Sequence, residues 1–389
     1  MPWKETNKME QKEEFIKEML KQEKPFKHLC TEFGISEKTG HKWKNRYYEE
    51  GKKGLCEESR APKTKPTSLT EDVVIQIIKI KTAHPYWGGK KIREIFRKTS
   101  PQLPLPSLSS VNRILDKAEM VKKRKIKAKP NESSVFRQHI QPQEVNDVWA
   151  IDFKGWWKSD GEICEPFTVR DLVSKKILCI KLMESKSSKA VRTVMTELFK
   201  EYGLPKVIRS DNGTPFASPN GILSLTNLSA WWITLGIIPD RTEKGCPGQN
   251  GSLERMHRDI SMEIEGKIKG GRKANQIAID EWVKEYNSLR PNEAIGLKTP
   301  DEIYHSSERK YNGDFDEIEY PACFLPRKVC QNGTIKIKNI PINMGVSLAG
   351  LTVGLREKEN NLYDVFLADF LLGTLDLNLS CFLPLDMIK

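Results

Sequence analysis

From residue 148 onward the sequence settles into short apolar runs separated by helical stretches, and three acidic residues fall at or near the ends of separate runs. Val148–Phe153, Phe167–Val173 and Ile177–Leu182 read as strands, and Ser188–Tyr202 as an amphipathic helix closed by Gly203 at its C-cap. Val207–Ser210 is a short buried strand, Leu225–Leu235 a helix, Ile237–Pro239 extended, and a longer helix begins near Asn250. Three strands, a helix, a strand and further helices predict a mixed sheet flanked by helices. Asp152 lies on the first strand, Asp211 just past the fourth, and Glu254 on the late helix. Three carboxylates on separate elements can hold two divalent cations about 3.5–4 Å apart, the arrangement that clamps both oxygens of an in-line phosphodiester displacement. Each acid also has an ordinary reading: a polar strand edge, an Asp211-Asn212-Gly213 turn, a solvated helix face.

Charge is divided unevenly. Of the 389 residues, 1–145 hold 32 Lys and Arg against 19 Asp and Glu, whereas 146–389 are close to neutral. The whole net charge of +12 therefore lies in the first third, which points to nucleic acid as partner. No apolar stretch reaches the roughly 20 residues that span a bilayer, so no membrane partner is expected. The charged N-terminus has no apolar core behind it and does not read as a signal peptide. Eight scattered cysteines suggest reduced thiols and a cytoplasmic location.

That basic third carries two helical modules. Residues 12–23 form a charged helical run. Leu29 and Phe33 then mark one face of a short helix, Gly34 breaks it, and Ser36 caps a second helix bearing Lys38, His41, Lys42, Trp43 and Arg46. This is a helix-turn-helix pattern over 10–62, and those five residues are candidate DNA contacts. Gly51–Leu55 and Ser59-Arg60-Ala61-Pro62 look like a tether. A second module, 66–121, has a helix from Thr70 through Ile80, another beginning at Lys90, and a third capped by Ser107. Lys90, Lys91, Arg93, Asn112 and Arg113 are its candidate contacts. A basic linker over 122–145 adds Lys122, Lys123, Arg124 and Lys125, placed to track phosphates. At the other end, 318–389 alternates glycine-punctuated short runs such as Thr334–Ile340 and Tyr363–Leu367, expected to form a small β-barrel or sandwich.

The residues around the acids resemble the integrase-core transposases of bacterial insertion sequences, in the group whose first acid stands in an Asp-Phe-Lys-Gly segment. The likeness runs through Asp152–Gly155, Pro166–Asp171, Ser210–Ala217, Gln249–Gly251, Glu254–His257, Tyr286–Asn292 and Thr299–Tyr304. It extends to Phe33–Ser36, Ser59–Pro62 and Trp87–Ile92, and more weakly to the β-rich end. The resemblance implies a multidomain chain: helix-turn-helix modules, an RNase H-like α/β core over 146–305, and a small all-β domain. It implies that Asp152, Asp211 and Glu254 are catalytic and bind two Mg²⁺ or Mn²⁺ ions, with no small-molecule cofactor. The implied activity is cleavage at terminal inverted repeats and strand transfer into target DNA, by a homo-oligomer on DNA in a bacterial cytoplasm. Lys154, Arg255, His257 and Arg258 are further candidate DNA contacts; His257 and Arg258, on the helix face of Glu254, could instead brace its carboxylate. Asp211 and Glu254 are 43 positions apart, wider than in retroviral integrases, with an insertion from Phe216 to Leu225. Asn292 stands where many relatives carry His, and Lys175 where Arg is usual. Alternative readings are a decayed or domesticated copy that only binds DNA, and a plain nuclease.

Overall fold

The computed structural model describes residues 7–57, 69–121, 140–218, 221–242, 251–313, 318–359 and 361–385. The chain forms two compact units, 1–69 and 70–389. In the first, α1 (Lys8–Lys21), α2 (Phe26–Glu32) and α3 (Glu37–Glu50) pack around Phe15, Ile16, Leu29, Cys30, Trp43 and Leu55. Helix α1 begins four residues earlier than its charge pattern suggests, because Asn7 and Glu10 form a reciprocal capping box. Gly34 turns the chain at φ +62°, a region glycine enters without strain. Ser36 then caps α3, its hydroxyl accepting from Thr39 N–H at 3.2 Å. Residues 51–55 correct the tether reading: they form a 3-10 turn that buries Leu55 in this core, with Lys12 Nζ donating to its carbonyl at 3.2 Å. The remainder of that tether, Ser59–Pro62, lies outside the described residues.

The second unit opens with α4 (Glu71–Ala83), α5 (Gly89–Thr99) and α6 (Leu108–Lys117), closed over buried Val73, Ile77, Ile92, Phe96, Val111 and Leu115. Ser107 caps α6 by accepting from Ser110 N–H at 3.1 Å. The central sheet follows: β1 (Val148–Phe153), a small hairpin of β2 (Trp157–Ser159) and β3 (Glu162–Cys164), then β4 (Pro166–Asp171) and β5 (Ile177–Leu182). Next come α7 (Ser188–Tyr202), β6 (Val207–Ser210), α8 (Asn227–Thr234), β7 (Ile238–Arg241), α9 (Gly251–Glu263) and α10 (Gly271–Ser288). The strands order as β5-β4-β1-β6-β7, with β1 antiparallel to β4 and parallel to β6. This is the mixed sheet expected of an RNase H-like core. The β2–β3 hairpin was not foreseen, since three-residue strands are too short to show a period.

Alternation along β1 builds two cores. Trp149 and Ile151 face α7 and α8, with Val191, Met195, Leu198 and Phe199 supplying the helical stripe. Val148 and Ala150 face α9 and α10, beside Leu253, Met256, Ile260 and Ile279. Helix α8 is apolar all round because it divides two cores. Leu228, Trp231 and Trp232 enter the α7 side of the sheet, while Ala230 and Ile233 join the C-terminal domain.

That domain comprises β8 (Phe324–Lys328), β9 (Thr334–Ile337), β10 (Ile340–Asn343), β11 (Thr352–Glu359), β12 (Leu362–Leu367), β13 (Phe370–Asp376) and β14 (Cys381–Pro384). They pair as a five-stranded antiparallel sheet, β14-β13-β12-β11-β8, and a separate β10-β9 hairpin, two sheets instead of one closed ring. No helix among the described residues is long and apolar enough to cross a membrane.

Candidate active site

The β1–β6 ladder pairs Val148 with Val207 and Ala150 with Arg209. Two residues further along each chain stand Asp152 and Asp211, on adjacent strands that run about 4.8 Å apart. Val148, Ala150 and Val207 all belong to the core beneath α9 and α10, so a period of two directs both acids to that side. Leu253, Met256 and Ile260 seat α9 in the same core, which leaves Glu254 exposed on its first turn. A carboxylate there is also favoured by the positive end of the helix dipole.

The Asp152 carboxyl feels the charge of both other acids. Burial, then the charges of Asp211 and Glu254, push the Asp152 carboxyl up to about 7. The Asp211 turn is tied down, with Gly213 N–H donating to Asp211 Oδ1 at 3.1 Å and the Asn212 amide donating to the Thr242 carbonyl. Among the described residues no three His, Cys, Asp or Glu side chains close into a ready-made metal cage. The donor set nonetheless suits a hard divalent cation: carboxylate oxygens, with the charges of Asp211 and Glu254 both acting on Asp152.

His257 sits one turn after Glu254 and faces inward. Its Nε2 lies 2.9 Å from Thr168 Oγ1, and that hydroxyl gives its single proton to the Asp152 carbonyl at 3.0 Å. The imidazole must therefore donate through Nε2, leaving the Nδ1 lone pair 4.0 Å from Asp152 Oδ2. Burial, with Lys154 and Arg170 nearby, lowers the His257 pKa to about 4, so the ring is neutral at physiological pH. His257 thus ties the helix that carries Glu254 to Thr168.

Several candidate DNA contacts are engaged by other parts of the protein. Trp43 belongs to the core of the first module, with Lys12 Nζ 3.7 Å above its ring. Lys38, His41 and Lys42 are exposed on α3, and Arg46 is half-buried. Lys154 is an ion-pair partner of Glu265 at 2.6 Å, and Lys90 of Glu293 at 2.8 Å. Arg93 donates to the Pro106 carbonyl at 2.8 Å, steadying the α5–α6 connection. Asn112, Arg113, Arg255 and Arg258 are exposed. Lys122, Lys123, Arg124 and Lys125 lie outside the described residues.

Lys91 sits in a polar seam between α5 and the core, where Arg290 bonds Asp259 at 2.8 Å and Glu263 at 3.1 Å. Burial and Arg290 lower its pKa from 10.5 to about 8. Between those values the unfolded chain holds a proton that the folded chain has released, so this group adds stability as pH rises from 8 to 10.5. Lys91→Met is therefore expected to raise stability at pH 7 and to flatten that rise. Urea midpoints across the window check it; a pH-independent difference between variant and wild type would refute the assignment.

Residues 142–247 and 235–300 match two families each described as an integrase core domain. The chain carries an integrase core domain. Residues 11–63 match a helix-turn-helix domain, and 39–115 a homeodomain-like domain, which together with the integrase core indicate DNA binding. An uncharacterized 31.7 kDa protein of insertion element IS407 from Burkholderia multivorans is 27% identical over 163 residues, 42% of this chain and 56% of the relative. The chain thus spans about half the length of that curated relative. Among solved structures, the HTLV-2 integrase catalytic core domain in complex with magnesium is 16% identical with TM-score 0.32, covering 42% of this chain and all of its own. A simian T-cell lymphotropic virus intasome in complex with PP2A regulatory subunit B56 gamma is 14% identical with TM-score 0.34, covering 76% and 97%.

Thr168, Arg170 and Arg290 received no individual role from sequence reasoning. The first two lie in the quoted stretch Pro166–Asp171 and the third in Tyr286–Asn292. For Arg170, a basic residue inside a fully buried strand was the available signal.

Proposed function

We propose that this chain is a DNA transposase that binds the terminal inverted repeats of an insertion sequence and carries out metal-dependent strand cleavage and strand transfer into target DNA. The observation carrying this reading is the convergence of Asp152, Asp211 and Glu254 on one side of the sheet, with Asp152 feeling both other charges. Two Mg²⁺ or Mn²⁺ ions held by these carboxylates would supply Lewis-acid polarisation of phosphoryl oxygens and activation of an oxygen nucleophile. The chain's own part is positional. Helices α3 and α6 present Lys38, His41, Lys42, Asn112 and Arg113 to DNA, and exposed Arg255 and Arg258 flank Glu254 along α9 for phosphate contact. Thr168 and neutral His257 keep the Asp152 strand and the Glu254 helix in register. Two element ends must meet during joining, so the working form is a homo-oligomer on DNA, in the bacterial cytoplasm.

The test is a labelled duplex bearing the element's terminal repeats, incubated with the protein and Mg²⁺ or Mn²⁺. Nicked products ending in 3′-OH, followed by joined products, are expected. Specific binding to the repeats without cleavage would replace this reading with that of a DNA-binding copy, and cleavage without joining would favour a nuclease.

A further inference from the structure

Strand β4 carries none of the three acids, yet one of its faces touches the elements that carry two of them. Thr168 stands directly opposite Asp152 in the β1–β4 ladder, and Arg170 opposite Ala150. Spaced two apart, they share the face beneath α9. Thr168 Oγ1 bridges the Asp152 carbonyl and His257 Nε2. Arg170, 3% exposed, distributes its guanidinium among three acceptors: Ser252 O at 2.9 Å, Tyr286 Oη at 2.8 Å and Lys175 O at 3.1 Å. Ser252 and His257 flank Glu254 in sequence, so α9 is held to β4 on both sides of its acid. Arg290, through Asp259 and Glu263, fixes the far half of the same helix.

Apolar packing alone sets the depth of a helix on a sheet. It sets rotation and axial position poorly, because side chains of similar shape tolerate small slips. Directional hydrogen bonds remove that freedom, and a planar guanidinium with a fixed fork of donors does so most stringently. Burying the Arg170 charge without a carboxylate bonded to it is costly. Simple adhesion between β4 and α9 would not need it.

We propose that Thr168 and Arg170 are positioning residues that fix the Glu254 helix against the Asp152 strand, setting the spacing of the metal-binding carboxylates. This rests on the reading of those acids as metal ligands. The outer partners that orient metal ligands typically control about 10–100-fold in metal affinity or activity.

The test uses full-length protein and Mn²⁺ binding followed by electron paramagnetic resonance, with DNA joining as a second readout. Thr168→Val keeps side-chain volume and removes the hydroxyl; it is expected to weaken Mn²⁺ binding about 10–100-fold while end-DNA affinity and melting temperature stay near wild type. Thr168→Ser restores the hydroxyl and should recover Mn²⁺ binding. Arg170→Met should act in the same direction. Should it fail to fold, the Thr168 pair decides alone. Unchanged Mn²⁺ affinity in Thr168→Val, or a loss that Ser does not rescue, overturns the proposal. Wild-type protein that binds no Mn²⁺ overturns the metal-site reading itself and this proposal with it, a result distinct from either of those.

Discussion

Asp152→Asn is expected to cut both cleavage and joining by about 10²–10³-fold, the scale seen when one group that organises transition-state charge is lost. Binding of the terminal-repeat duplex should change little, since the exposed basic helices lie on other elements. Asn keeps the shape of Asp and removes the charge, so a defect confined to chemistry isolates the carboxylate. Asp211→Asn and Glu254→Gln should behave alike. Acting as one unit, any pair should cost scarcely more than either single change. Single-turnover cleavage rates, measured beside gel-shift affinity on the same preparations, give the comparison. A variant that cleaves at the wild-type rate would remove that acid from the site. Equal loss of binding and cleavage would instead assign the acid to folding or DNA contact.

Trp232→Ala should produce the largest loss of stability, about 3–5 kcal/mol, as for other aromatic side chains deleted from close-packed cores. Trp232 is fully buried on α8, the helix that also lends Ala230 and Ile233 to the C-terminal core. A cavity there weakens the catalytic sheet and loosens the seat of the β domain together. Its indole Nε1 has no hydrogen-bond partner among the described residues, so Trp232→Phe sheds an unsatisfied donor along with volume and should cost markedly less. Urea unfolding followed by far-UV circular dichroism measures both. A loss below about 1 kcal/mol for Ala would be that of a surface position and would contradict the burial.

The elements of the core were legible where a period ran long enough to show. β1, β5, β6 and α7 lie at the bounds read from the sequence, because β-branched runs end at polar turns and Gly203 closes α7 at φ +81°. Trp43 was misplaced for a physical reason. On a basic helix an aromatic looks like a base-stacking residue, and only packing against Phe15 and Leu29 reveals it as core. The ion pairs of Lys90 and Lys154 were hidden for a similar reason: a lysine's partner can lie far along the chain, as Glu293 and Glu265 do.

By itself the sequence determined the three carboxylates, their order, the helix caps and the basic first third. These depend on residue type and short spacing, which the chain carries openly. Only the tertiary structure decided that β1 and β6 run side by side so that Asp152 and Asp211 share a face. It also decided that Thr168, Arg170 and His257 tie the third acid's helix to the first acid's strand. Contacts across 16 to 89 positions follow from how the sheet is ordered and which face each helix covers. No local pattern contains that information.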